Sequence, residues 1–216
     1  MSTLIVVDLQ RDFLPGGALA VPRGDEVVAV ANAVMDRFAR VVATQDWHPR
    51  EHGSFAANQP GRAPGEVIEL GGVAQVLWPV HCVQETPGAA FAAGLATRRI
   101  ERIFVKGVDP ALDSYSGFFD NDGRRATGLG DYLQERGETE VAVLGLATDY
   151  CVKATALDAR RLGLRVRLIV DGCRAVELRP GDGARAIAEM LAAGVEVVTS
   201  VELLAGSEGA GAAVSR

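Results

Sequence analysis

Three residues that could form a covalent catalytic set each follow a short apolar run in this chain. Cys151 ends the string Gly145-Leu146-Ala147-Thr148-Asp149-Tyr150-Cys151, directly after Val141 to Leu144. With Thr148 as an N-cap, the thiol falls in the first turn of a helix, where the partial positive charge of the helix end favours a thiolate. The N–H groups of that turn lack helical partners and can hold an oxyanion. Asp8 follows Leu4 to Val7 and offers a carboxylate to accept the thiol proton. Lys106 follows Ile103 to Val105 and offers a cation to steady both charges. Taken singly, each has an ordinary reading as well. A lone cysteine is commonly a small core residue, a strand-ending aspartate a turn or cap, and a lysine at a strand end simply solvated.

A second group is rich in metal-binding atoms. His48, His52 and His81 all fall between residues 46 and 102, in Gln45-Asp46-Trp47-His48-Pro49 and its continuation, and in Leu77-Trp78-Pro79-Val80-His81-Cys82. Imidazole together with the Asp46 carboxylate suits divalent zinc, iron or manganese. Two histidines and one aspartate would leave positions open for water or substrate, as a catalytic ion needs. No tight spacing such as HExxH is present, so three solvated loop histidines remain the competing reading at this level. Cys82 and Cys173 read as small buried thiols.

These residues need a scaffold that brings them together. The apolar runs Leu4 to Val7, Val41 to Thr44, Ile103 to Val105, Val141 to Leu144, Val166 to Val170 and Val195 to Thr199 read as buried parallel strands. Helical spacing appears over Asp25 to Ala39, with Val27, Val30, Ala31 and Val34 on one face, over Thr148 to Leu162, and over Gly183 to Ala193. The last two stop near Gly163 and Gly194. Alternating strand and helix predicts an α/β domain over residues 1–205, with helices on both faces of a mostly parallel sheet. Ligands of such sheets sit at the carboxyl ends of the strands, which puts Asp8, Asp46, His48, Lys106 and the 145–151 string on one rim. The segment 46–102 is a long Gly-, Pro- and His-bearing insertion, and long loops in compact domains usually serve function. Within it, Val67 to Leu70 and Val76 to Trp78 are expected to pair locally. Residues 206–216, rich in Gly, Ala and Ser, read as a flexible tail.

Composition narrows the class. Of 216 residues, 48% are apolar and 23% charged, enough to build a core rather than a disordered chain. A net charge of -6 disfavours nucleic acid or an anionic membrane as partner. No run is long enough to span a bilayer, and the start MSTLIVVDLQRDF lacks the pattern of a secretory signal. The three cysteines, an odd count, fit a reducing cytoplasm better than a disulfide scaffold. Oligomeric state is not encoded in any feature of the sequence.

Taken together, VDLQRDFLPGGALAVP, TQDWHPREHGSF, LWPVHCVQ, VKGVDPALDSYSGFFDN, LGLATDYCVKATALDA and VDGCRAV resemble the nicotinamidases, or pyrazinamidases, of the isochorismatase-like hydrolase superfamily. The resemblance runs from Val7 to Val176. It implies a Rossmann-like three-layer α/β/α sandwich around a six-stranded parallel sheet. It also implies deamidation of nicotinamide to nicotinate and ammonia in NAD salvage, and of pyrazinamide to pyrazinoate, through a thioester. The implied catalytic triad is Asp8, Lys106 and Cys151. The implied metal ligands are Asp46, His48 and His81, with His52 as a further candidate, holding one divalent ion, zinc first and iron or manganese otherwise. A cis peptide at Leu146-Ala147 and an oxyanion hole from the Ala147 and Cys151 N–H groups are also implied. Phe13, Trp78 and Tyr115 would line the substrate ring. Other amidases or carbamoyl hydrolases of the superfamily would share the triad without the metal site. A metal-binding or redox-sensing protein with no turnover would leave Asp8 and Lys106 without a task.

Overall fold

The computed structural model describes residues 2–205. In chain order the elements are β1 (Thr3–Val7), α1 (Glu26–Val34), β2 (Arg40–Asp46), β3 (Val67–Leu70), β4 (Val73–Val76), β5 (Arg102–Lys106) and α2 (Leu129–Glu135). There follow β6 (Glu140–Leu146), α3 (Lys153–Arg161), β7 (Arg165–Arg174), α4 (Asp182–Ala192), β8 (Glu196–Val198) and α5 (Ser200–Ala205). Six strands form one parallel sheet in the order β5-β2-β1-β6-β7-β8. β1 lies inside it, and every residue of its sequence TLIVV is buried, as a strand covered on both faces requires. α1 and α5 pack together and against β7, while α3 packs on β6 and β7 and against α4. The result is the expected α/β/α sandwich.

Each expected strand is present. α1 buries Val27, Ala31 and Val34 at helical spacing, but it stops at Val34 and passes into a 3₁₀ turn over Met35–Arg37. Phe38 is already extended, two residues before β2 begins, so the chain tightens rather than continuing as a helix to Ala39. Gly163 and Gly194 follow α3 and α4 with φ of +84° and +81°, the left-handed closure for which glycine is suited. The short antiparallel hairpin of the insertion pairs Val67 with Val76, so its second strand is Val73–Val76 and Trp78 lies beyond it. Two helices were not legible in the patterning, α2 and α5. The expected tail, 206–216, lies outside the described residues. Among those residues no helix is long and apolar enough to cross a membrane.

The register sets the rim. β1 sits between β2 and β6, so the chain departs from it to opposite sides and leaves a crevice at its carboxyl end. β2 and β5 are aligned with Asp46 opposite Lys106, and β1 and β6 with Val7 opposite Gly145. Gly145 has φ +132°, and a Cβ there would lie 2.1 Å from the Val7 carbonyl oxygen. Glycine therefore lets β6 approach β1 just before the turn that carries Cys151. Gly145→Ala is expected to destabilise the fold by about 3 kcal/mol, because backbone cannot yield as a flexible side chain would. Urea unfolding followed by circular dichroism measures this, and an unchanged midpoint would contradict it.

Candidate active site

At the carboxyl ends of β1, β2, β5 and β6 lies a cluster of buried ionisable groups. The Lys106 ammonium is its centre. Nζ lies 2.9 Å from Asp8 Oδ2, forms a short ion pair with Asp46 Oδ1, and donates to Cys151 Sγ at 3.3 Å and to the Ser114 carbonyl at 3.0 Å. Asp8, Asp46 and Cys151 bring their carboxylate and thiol atoms within 4.8 Å of one another. The Thr44 hydroxyl donates to Asp8 Oδ1 at 2.6 Å. Gln10 clamps Asp46 from its backbone: its Oε1 accepts the Asp46 N–H and its Nε2 donates to the Asp46 carbonyl, each at 2.8 Å.

Burial dominates the electrostatics. It raises Asp8, against the pull of Lys106, so this carboxyl is a stronger base than an exposed one. Burial would raise Asp46 too, but Lys106 and then His48 outweigh it and hold Asp46 well below the usual carboxylate range. Lys106 is pushed well above its ordinary value because Asp46, Asp8 and Cys151 overcome the desolvation that would lower it. The Cys151 thiol is driven well above its ordinary value by burial, with Lys106 opposing and Asp8 and Asp46 adding.

The structure corrects the expected helix cap. Thr148 is not the N-cap. Ala147 flanks the helix in extended geometry, and Thr148–Val152 form a π-helical turn in which the Ala147 carbonyl accepts from both Tyr150 and Val152 at 3.1 Å. The thiol sits in a buried turn beside Asp8 and Asp46, and burial favours its neutral form over the thiolate. The peptide Leu146-Ala147 is cis.

The other oxygen of Asp46 faces two histidines. Oδ2 lies 3.6 Å from His48 Nε2 and 3.8 Å from His81 Nε2. Each ring is turned by its far nitrogen, with His48 Nδ1–H donating to the Gly107 carbonyl and His81 Nδ1–H to the Pro79 carbonyl, both at 2.8 Å. That turns both Nε2 atoms towards Oδ2, and Asp46 raises His48 against the burial that would lower it. Ligands about 2.0–2.2 Å from a tetrahedral ion lie roughly 3.3–3.6 Å apart, so these separations suit a divalent metal with little movement. Burial, with His48 nearby, lowers His81 to about 4, so its ring is neutral and available as a ligand over the physiological range.

His52 is oriented differently. Ser54 N–H donates to its Nδ1 at 3.2 Å, with the Ser54 hydroxyl 2.7 Å from the same nitrogen. The neutral ring therefore carries its proton on Nε2, a buried atom without a hydrogen-bond partner. Its neighbours are His48 and Asp113, not the Asp46–His81 pair.

A narrow pocket opens onto both halves of the cluster. It is lined by Phe13, Trp78, Tyr115, Ala147, Cys151 and the metal-facing side chains. Trp78 Nε1 donates to the Tyr115 hydroxyl at 3.2 Å, and buried Gln75 of β4 donates to the same hydroxyl and to Asp113, each at 2.9 Å. Tyr150 meets Trp78 edge to face at 4.8 Å. Of the residues singled out in the sequence, Phe13, Asp46, His48, Trp78, His81, Tyr115, Ala147 and Cys151 line this pocket, Asp8 and Lys106 lie behind it, and His52 is at the margin. Patterning missed Leu19, Asp113, Tyr150 and Val176 in the wall, and Gln10, Thr44 and Gln75 behind it. Tyr150 adjoins the nucleophile and Asp113 precedes Tyr115 by two, so position alone was a signal for those two.

The profile of the Isochorismatase domain matches residues 2–202. A nicotinamidase of Escherichia coli (strain K12) is 50% identical over 200 residues, covering 91% of this chain and 93% of that protein. The structure of a nicotinamidase/pyrazinamidase of Acinetobacter baumanii superposes with a TM-score of 0.91 at 45% identity, covering 94% of this chain and 97% of the other. The structure of a pyrazinamidase of Pyrococcus horikoshii in complex with zinc superposes with a TM-score of 0.75 at 39% identity, covering 92% and 98%.

The Gly107 carbonyl that orients the His48 ring lies on a residue without room for a side chain. Its φ is +64°, and a Cβ would lie 2.3 Å from His48 Cε1. Gly107→Ala should displace the ring and weaken zinc binding about 10–100-fold, as loss of an orienting partner does. His48→Ala and His81→Ala should lose most bound metal, and His52→Ala much less. Competition with a chromophoric chelator reads all four, and equal zinc affinity throughout would remove the site.

Proposed function

We propose that this chain, which belongs to the Isochorismatase domain family, is an amidohydrolase that converts nicotinamide to nicotinate and ammonia, and pyrazinamide to pyrazinoate. One observation carries the reading. One pocket is lined by Cys151 and by the Asp46, His48 and His81 donor set, and behind its wall the buried Lys106 pairs with Asp8 and Asp46 and donates to the Cys151 sulfur.

In this mechanism Asp8 takes the proton of Cys151 as the sulfur attacks the carboxamide carbon. Concerted transfer suits a thiol that burial keeps protonated. The Ala147 and Cys151 N–H groups stabilise the tetrahedral oxyanion. Asp8 then gives its proton to the amide nitrogen, the C–N bond breaks, and ammonia leaves a thioester. Water attacks that thioester with Asp8 again as base, the C–S bond breaks, nicotinate is released, and the thiol recovers its proton. Lys106 remains charged throughout and balances whichever of Asp8 or Cys151 bears the negative charge. Phe13, Trp78 and Tyr115 hold the ring. A divalent ion held by Asp46, His48 and His81, for which we take zinc, supplies an electrophilic contact for the ring nitrogen when bound.

The donor set favours this reading over a metal-free amidase of the same superfamily, where three converging metal-type ligands would have no task. Binding without turnover would likewise leave Asp8, poised on Thr44 and Lys106, unused.

Cys151→Ala should abolish ammonia release while leaving metal content unchanged, and rapid-quench mass spectrometry of the wild type should catch an acyl adduct on Cys151. Retained turnover in the variant would sink the covalent route. The acid limb of kcat/KM should have its midpoint above the ordinary Asp value of 3.8, because Asp8 is raised and must be ionised to act: activity is present above the folded value and lost as pH falls through it. A midpoint at or below 3.8 would show that another group is the base.

Substrate choice tests the metal's task. Nicotinamide and pyrazinamide both present a ring nitrogen meta to the carboxamide, and benzamide presents C–H there. Benzamide kcat/KM should be lower by at least about a hundredfold, roughly 2.7 kcal/mol, and stripping the metal should narrow that gap. Equal turnover of both amides by the holoenzyme would reassign the chain as a general amidase.

A further inference from the structure

Beside the nucleophile, in the same π-helical turn, is a buried carboxylate that the proposed chemistry does not use. Asp149 accepts two backbone N–H groups from the segment after β7: Oδ1 from Val176 and Oδ2 from Glu177, both at 2.9 Å. Glu177 has φ +58°, a conformation that an ordinary side chain adopts only under constraint. Its own carboxylate accepts the Gly181 N–H at 2.6 Å and the Gly183 N–H at 2.9 Å, at the start of α4. α4 packs against the nucleophile turn. A Cβ on Gly183 would lie 2.8 Å from both the Ala175 Cβ and Glu177 Oε1, so helix and segment are in close contact. The short stretch around Val176 is thus held from two sides, by Asp149 and by α4.

That stretch borders the pocket. Val176 lines it together with Phe13, Leu19, Ala147 and Tyr150, and is the one contribution from the β7–α4 connection. It has no polar role there. It closes the apolar wall at a distance from the turn that the Asp149 carboxylate fixes.

Building on the amidohydrolase reading, we propose that Val176 is a specificity-determining residue for the substrate ring and that Asp149 is the positioning residue that sets it. The two-oxygen clamp ties the wall of the pocket to the turn that carries the nucleophile. The gap between sulfur and wall is therefore constant, and it admits a flat, unsubstituted six-membered ring. Asn at 149 would keep one acceptor but turn an NH2 donor towards a backbone N–H, leaving that buried N–H unsatisfied and the segment loosened.

The test is a double-mutant cycle on nicotinamide with Asp149→Asn, Val176→Ala and the double variant. Metal content and melting temperature of each are measured alongside. Asp149→Asn should raise KM about tenfold with kcat changed much less, since ring seating and not the reacting groups is disturbed. In the Val176→Ala background the same substitution should raise KM by less than about twofold, because a residue acting through Val176 has little left to act on. Should Asp149→Asn fail to fold, Val176 alone decides the matter. Val176→Ala should raise kcat/KM for at least one of 4-, 5- and 6-methylnicotinamide, relative to nicotinamide, by about tenfold or more, and Val176→Ile should lower it. An unchanged methylnicotinamide ranking in both Val176 variants, or fully additive KM effects in the cycle, would overturn the proposal while nicotinamide turnover stood. Wild-type enzyme that released no ammonia from nicotinamide would instead overturn the amidohydrolase reading, and this proposal with it.

Discussion

One buried ammonium holds the site together. Lys106 reaches two carboxylates, a thiol and a carbonyl from the end of an edge strand, with no contact to solvent. Its charge makes it possible to keep Asp8 and Asp46 in one dry cluster, since two carboxylates so close would otherwise exchange ionisation for a shared proton. A buried pair broken on one side costs about 3–5 kcal/mol, because the remaining charge has no water to turn to. Here a single cation serves two acids, so the cluster retains a negative excess. The two rings beside Asp46 differ, since Asp46 raises His48 while burial lowers His81 to about 4, and a divalent ion held by all three would offset the negative charge.

The strands decide which groups Lys106 can reach. Asp46 and Lys106 are partners in the β2–β5 register, so their side chains leave adjacent strands side by side. Asp8 leaves β1 one strand further on with φ +47°, a left-handed turn just past the strand that redirects its carboxyl towards the same point. Gly145 brings β6 against β1 opposite Val7, and the turn that carries Cys151 begins three residues later. A one-residue slip in any of these pairings would send a catalytic side chain to the opposite face of the sheet. The apolar strands are therefore part of the chemistry as well as of the core.

How much of this the sequence displayed depends on the length scale of each signal. Strands such as TLIVV and the helices behind them were legible because burial repeats along the chain at a fixed period. Asp8, Lys106 and Cys151 were legible because a parallel sheet puts its strand ends on one rim. α2 was hidden by the glycines at 128 and 130 and by its seven-residue length. α5 had a readable start, because Thr199 and Glu202 form a reciprocal capping box, but Thr199 had been absorbed into the preceding apolar run. The turn at Thr148–Val152 looked like ordinary helix because π and α geometries share the same composition. Gln75, Thr44 and Gln10 carry no periodic or spacing signal at all. Their roles rest on contacts 36 to 40 residues away in sequence, which only the folded chain creates.

The same distinction separates the two kinds of residue in the pocket. Groups that meet the reacting atoms come from strand ends, whose positions the sheet fixes to within the precision of a hydrogen-bonded register. Groups that shape the cavity come from connections: Trp78 and Tyr115 through the Gln75 side chain of a separate hairpin, His48 through the Gly107 carbonyl, Val176 through Asp149. A connection has no register of its own, so each of these walls is held by a polar atom from elsewhere in the fold: Gln75 of β4, Gly107 just past β5, and Asp149 of the turn that follows β6. Buried amides and carboxylates spent on backbone N–H and hydroxyl groups are costly when left unmade and rigid when satisfied. Substitutions in the apolar lining can then change what fits without moving the sulfur, the base or the ammonium. The chemistry and the selectivity of this pocket rest on different parts of the fold, joined where Asp149 and Cys151 share one turn.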